Sequence, residues 1–203
     1  MPKIVDHDRY RHELLMKCFD LFAQKGYGSV TMRQIAVELG VSTGTLYHYF
    51  PSKEALFVQL IEEITEQDIL KANEIAAGET IAERIRALSQ FLQENEDYFL
   101  KQIFLCINFF QQQDLAQEPL LEALKRSNRR YQKAIVEYLG LENRAIANHV
   151  ACLFDGLISY RAFDPDLMSF SEQTELLAQL LSVYLEKQQL LTSSLESQAT
   201  DAG

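Results

Sequence analysis

The stretch Thr31-Met-Arg-Gln-Ile-Ala-Val-Glu-Leu-Gly-Val-Ser-Thr-Gly-Thr-Leu-Tyr-His-Tyr-Phe50 reads as two short helices around a tight corner. Thr31 and Gln34 stand in the S/T-x-x-E/Q relation, in which each side chain satisfies a free backbone N–H at a helix start. Ile35, Ala36 and Leu39 then form one apolar face. Gly40 follows, where glycine tolerates the left-handed backbone that ends a helix. Ser42 or Thr43 can cap a second helix, which carries Leu46 and Phe50 four residues apart on one side. Pro51 stops it.

A pair of helices this short, joined by a glycine-containing turn, fits the helix-turn-helix, whose second helix enters the DNA major groove. With Leu46 and Phe50 turned inward, Thr43, Gly44, Tyr47 and His48 face outward and Tyr49 lies at the margin. Hydroxyls, a ring N–H and a flat aromatic reach phosphates, base edges and thymine methyls. Gly44, without a side chain, lets a sugar-phosphate wall come close.

These residues resemble the DNA-binding signature of the TetR family of bacterial transcriptional repressors, roughly T-x-R-x-I-A-x-x-x-G-V-S-x-G-x-[LI]-Y-x-[HY]-F-x-[SN]-K-[ED]-x-L. The match runs without insertion from Thr31 through Val41-Ser42-Thr43-Gly44-Thr45-Leu46-Tyr47-His48-Tyr49-Phe50 to Ser52-Lys53-Glu54-Ala55-Leu56. One departure is that Tyr49 stands where many members carry His, with His48 one place earlier. The resemblance implies DNA contacts from Thr31, Arg33, Ser42, Thr43, Gly44, Thr45, Tyr47, His48 and Tyr49, with Lys53 on a phosphate. It also implies a homodimer that reads double-stranded operator DNA and is released by a small molecule bound in the helical body.

Composition agrees with an all-α chain. Among 203 residues there are eight Gly and four Pro, and the long runs between them have helical periodicity. The expected architecture is a three-helix head over residues 1–51, joined by a long helix to a ligand-binding and dimerisation bundle over 52–191. A polar, disordered tail is expected over 192–203. Cys18, Cys106 and Cys152 are odd in number and lie in apolar contexts, which argues for reduced, buried thiols in the cytoplasm. No run is long and apolar enough for a membrane span, and no basic-apolar leader pattern opens the chain.

A net charge of −10 is unusual for a DNA binder, but it is unevenly distributed. Residues 1–60 hold seven Lys/Arg against six Asp/Glu, whereas residues 61–203 hold twelve against twenty-three. The head is near neutral and the body acidic, so DNA binding must depend on placed contacts more than on long-range attraction.

Before the signature, an arm over residues 1–8 leads into a helix over 8–25 with the stripe Leu14, Leu15, Cys18, Phe19 and Phe22. Arg9 and Arg11 are candidates for the DNA backbone. After it, a helix over 52–77 buries Leu56, Phe57, Leu60, Ile61, Ile64 and Ile69. A second capping box, Thr80 to Glu83, opens the next helix. Residues 98–111 are apolar all round, which predicts burial on several sides. From Pro119 a helix sets Leu120, Leu124, Tyr131, Ile135 and Tyr138 against the basic stripe Lys125, Arg126, Arg129, Arg130 and Lys133. That stripe reads as a solvated face balancing carboxylates, with an anionic head group as the other reading.

Two apolar helices over 142–163 and 171–191 close the chain and are either core or a self-association surface. The family resemblance places a dimer interface there, which brings in Val150, Leu153, Phe154, Leu157, Leu177, Leu180, Leu181 and Tyr184. It places a ligand pocket among the fifth to eighth helices, lined by Phe91, Phe99, Ile103, Phe104, Ile107, Phe110, Tyr131, His149 and Cys152. Such a lining suits an apolar or aromatic effector. An architectural DNA-binding protein without an effector is the alternative. Enzymatic chemistry has little support: no phosphate loop, metal-ligand spacing or nucleophile cluster occurs, and His149 and Asp155 fall on different helix faces. No cofactor is expected.

Overall fold

The computed structural model describes residues 6–76, 78–112, 118–141 and 143–201. All regular structure among them is helical: α1 (His7–Lys25), α2 (Met32–Leu39), α3 (Thr43–Tyr49), α4 (Lys53–Asn73), α5 (Ile81–Glu94), α6 (Glu96–Gln112), α7 (Glu118–Leu139), α8 (Arg144–Arg161) and α9 (Phe170–Asp201). The expected ends agree within a few residues except at the C-terminus. There α9 runs through Asp201, where a tail was expected from Thr192; no Gly or Pro stands between them to break the helix. Of the expected N-terminal arm, residues 1–5 lie outside the described residues. Asp6 caps α1 by accepting from the Arg9 N–H at 3.1 Å.

The chain divides into two compact units, Met1–Lys71 with Asp97–Ala134, and Ala72–Glu96 with Ile135–Gly203. Residue 51 is therefore not a packing boundary. In the first unit Leu14, Leu15, Cys18 and Phe22 share one core with Ile35, Leu46, Phe50, Phe57, Leu60, Leu105, Phe109 and Leu120. The Phe109 ring stacks on Phe57 with centroids 5.1 Å apart, so α6 closes the core beneath α1–α4. Burial pushes the Cys18 thiol up to about 12, as expected of a packed, inert thiol.

α6 departs from expectation. Leu105 and Phe109 are buried, but Phe104, Ile107 and Phe110 are 42%, 44% and 48% exposed. Being apolar all round does not ensure burial all round, since Leu105 and Phe109, about one turn apart, fill the side facing the core and leave the other apolar side chains outside.

The basic stripe of α7 is matched by carboxylates. Arg126 donates to Glu62 at 2.9 Å, Arg130 pairs with Glu66, and Lys125 and Arg129 lie 2.8 and 4.0 Å from Glu122. A helix over which Arg126 and Arg130 meet α4 is strapped to it, which accords with the solvated, balanced face. Beside this ladder lies a groove of about 410 Å³ lined by Arg11, Gln59, Glu63, Thr65 and Ser127 among others.

In the second unit α5 packs along α9. Arg86 grips Glu175 through two hydrogen bonds of 2.6 and 2.8 Å, and the buried Ser89 and Thr174 hydroxyls pair. Arg161 forks onto Glu96 at 2.8 and 3.3 Å and also holds the carbonyls of Pro165 and Met168. Five residues expected at a dimer surface are internal here: Val150, Phe154, Leu157, Leu177 and Leu181 are at most 6% exposed. The cause is that α8 and α9 need a core stripe of their own before any surface is left over. Leu153 is half-buried, while Leu180 and Tyr184 are 59% and 40% exposed, beside Leu176 and Val183.

Candidate nucleic-acid interface

The turn forms as its residues dictate. Thr31 accepts from the Gln34 N–H while Gln34 accepts from the Thr31 N–H at 2.9 Å, a complete capping box. Gly40 takes the left-handed backbone, φ +69°. Ser42, not Thr43, caps α3, accepting from the Thr45 N–H at 2.9 Å and meeting the Thr45 hydroxyl at 2.8 Å. Leu46 and Phe50 are fully buried, which fixes the rotation of a helix only two turns long.

That rotation leaves Ser42, Thr43, Gly44, Tyr47 and His48 exposed, together with Thr31 and Arg33, while Thr45 and Tyr49 are half-buried. Tyr47 is 49% exposed. Gly44 has no internal reason to be glycine: its backbone is ordinary helix, and an added Cβ would meet only the Ser42 hydroxyl, at 3.7 Å. Val37, one turn from Arg33 on α2 and 73% exposed, joins this outward face. Sequence reading missed it, although its position opposite Ile35 and Leu39 carried the signal.

Lys53, expected on a phosphate, also has partners inside the fold. Its ammonium donates to the carbonyls of Tyr27 and Val30 at 3.1 and 3.0 Å and lies 4.4 Å from the Tyr27 ring centroid. Burial lowers its pKa, opposed by the charge of Glu54. Two of its three N–H bonds are thus engaged in tying α4 to the α1–α2 loop. Arg9 pairs with Glu13 at 3.2 Å, and Arg11 donates weakly to Gln59 at 3.4 Å.

Of the residues expected around a ligand, Phe91, Phe99 and Ile103 are half-buried and Phe104, Ile107 and Phe110 exposed, whereas His149 and Cys152 face solvent. Cys152 is therefore not the buried thiol that its apolar context suggested, because it falls beside the core stripe of α8. The Tyr131 hydroxyl is taken by Asp68 at 2.6 Å. Asp68, 3% exposed, also accepts from Tyr98 and Gln102, each at 2.7 Å. Burial, then the Asp68 charge, raises the pKa of both phenols. The carboxylate joins α4, α6 and α7 at one point. Asp68 lies four residues after Ile64 on the buried stripe of α4, but spacing gives no sign of its partners on α6 and α7. Among the described residues no group of three or more His, Cys, Asp or Glu is placed to hold a metal, and no helix is long and apolar enough to cross a membrane.

The model of the family described as bacterial regulatory proteins, tetR family, matches residues 15–60, which contain this turn. The HTH-type transcriptional regulator BetI of Brucella anthropi is 30% identical over 199 residues, covering 91% of this chain and 98% of the relative. The chain belongs to the TetR family. For the first curated relatives it matches, the chain spans a smaller part of their length, 14%, 46% and 48%.

Solved structures extend the TetR likeness over nearly the whole fold. Salmonella enterica GusR superposes with a TM-score of 0.69 at 20% identity, covering 91% of this chain and 99% of that one. The regulator FadR of Bacillus subtilis, in complex with stearoyl-CoA, gives 0.59 at 18% identity, covering 85% and 97%. At such identities the likeness is one of fold. In this TetR chain, the exposed face of α3 lies within the residues that the family model matches.

Proposed function

We propose that the chain is a cytoplasmic, homodimeric transcriptional repressor that reads operator DNA through α3 and is released by a small, largely apolar molecule. The observation that carries the reading is the outward face of α3: Tyr47, Thr43 and His48 stand free while a glycine without any internal cause sits between them. A partner approaching closely at Gly44 supplies the missing cause. A seven-residue helix contacts few base pairs, so two copies on a two-fold axis double the reading length. The exposed strip Leu176, Leu180, Val183 and Tyr184 of α9 offers apolar surface for that pairing.

The effector class rests on α6. Phe104, Ile107 and Phe110 leave an apolar strip open, and a fold relative binds an acyl-CoA. A ligand acts here only by favouring the DNA-incompetent arrangement of the dimer over the competent one.

Selection of genomic fragments by the purified chain tests the proposal. A few promoter fragments sharing a pseudo-palindrome are expected, with release by long-chain acyl compounds. Tyr47→Ala should weaken binding to an enriched fragment by about 1–3 kcal/mol without altering the fold. Many dispersed fragments without a shared sequence would favour an architectural role instead, and no enrichment would refute DNA reading altogether.

A further inference from the structure

We propose that the groove beside the Arg126–Glu62 ladder is a second small-molecule site, separate from the apolar strip of α6, and that it takes a zwitterion of amino-acid size. The groove lies wholly within the first unit, and the inference stands independently of the DNA-reading role of α3.

Three helices build it. α4 contributes Gln59, Glu63 and Glu66, which recur at helical spacing on one side. α1 adds Arg11 one turn before Leu15, and α7 adds Arg126, Ser127 and Arg130. A gap where helices meet is ordinarily closed by interlocking apolar side chains. Here a volume of about 410 Å³ stays open, and Leu15 is the only apolar residue among the described ones that line it. Space of that order holds a small metabolite, and its polar lining calls for a polar one.

Several lining groups still have bonding capacity. Thr65, 1% exposed, donates to the Ile61 carbonyl and so accepts from Ser127 at 2.6 Å. That commits the Ser127 proton and leaves its oxygen as an acceptor. The Arg11 Nε is enclosed and has no acceptor among the described residues, and its Nη1 makes a long bond of 3.4 Å to Gln59. Enclosed N–H groups ordinarily find an acceptor, and a carboxylate is the partner that fits the guanidinium fork. Arg126 meets only Oε1 of Glu62 and Arg130 only Oε2 of Glu66, so the second oxygen of each carboxylate is left to accept from an ammonium. Glu63 is already held by His12 at 2.7 Å and Gln67 at 3.2 Å.

Charge selects the class. Three guanidiniums and three carboxylates line the groove, so a simple anion or cation is attracted by one set and opposed by the other. A molecule carrying both charges meets each set with its opposite, its carboxylate on Arg11 and its ammonium beside Glu62 or Glu66.

The test is isothermal titration calorimetry of the full chain with the standard free amino acids at millimolar concentration, repeated with the N-acetyl and carboxamide derivatives of any that binds. At least one free amino acid should bind saturably and raise the melting temperature. Capping either of its charges should weaken it by about tenfold or more. Arg11→Met, which keeps the alkyl stem, and Ser127→Leu, which fills the groove from α7, should each bind at least about tenfold more weakly with unchanged circular dichroism. Arg129→Met, on the same helix but outside the lining, should bind as the wild type does.

No binding by any free amino acid would overturn the inference, as would capped derivatives that bind equally well. Wild-type affinity in either folded groove variant would overturn it too. None of these results touches operator binding, whose failure would show instead in the fragment selection.

Discussion

Lys53 begins α4 with its ammonium turned back onto the carbonyls of Tyr27 and Val30. Its match to the family signature implied a phosphate contact, and its geometry also makes it a tie between the loop after α1 and the helix after α3. Lys53→Met keeps the alkyl stem and leaves both carbonyls short of a donor. We expect urea denaturation to show a loss of about 1–3 kcal/mol, the usual cost of unsatisfied buried polar groups. A variant as stable as wild type, with a flattened salt dependence of DNA binding, would restore the phosphate role. Asp68 shows the complementary case, a charged residue whose neighbours in sequence are unremarkable but whose three donors come from α6 and α7. Motif reading finds residues that meet an external partner; it does not find those that meet each other across the fold.

Helix rotation decides which of two apolar stripes a helix buries. On α9, Leu177 and Leu181 point into the second unit, while Leu176, Leu180, Val183 and Tyr184 remain outside. If that strip pairs two copies as proposed, Leu180→Glu/Tyr184→Glu should turn the proposed dimer into monomers in sedimentation velocity while leaving helicity and melting of the monomer largely intact. Leu181→Ala should act differently, lowering stability by about 2–5 kcal/mol as a core truncation does. A dimer unaffected by the double charge substitution would move the interface away from this strip. On α6 the same logic leaves Phe104, Ile107 and Phe110 open while Leu105 and Phe109 close the core.

The net charge of −10 is the sum of +1 over residues 1–60 and −11 over the segments that follow the head. An acidic molecule gains little from the general field of DNA, so the share of its affinity that comes from placed contacts should be high. We expect about a hundredfold excess of non-operator duplex to leave the specific complex largely intact at roughly physiological salt, in a competition gel shift. Loss of the complex under those conditions would indicate binding dominated by the phosphate backbone.

What the amino-acid sequence determined by itself is local: the capping boxes at Thr31 and Thr80, the left-handed corner at Gly40, the buried pair Leu46 and Phe50, and hence the outward face of α3. Those features follow from hydrogen bonds and periodicity within a few residues, which a linear reading contains. The tertiary structure alone decided that Lys53 meets the carbonyls of Tyr27 and Val30, that α6 completes the head's core, and that Asp68 joins three helices. Each of these depends on contacts between segments tens of residues apart, where burial and partner geometry, not spacing, select the role of a side chain.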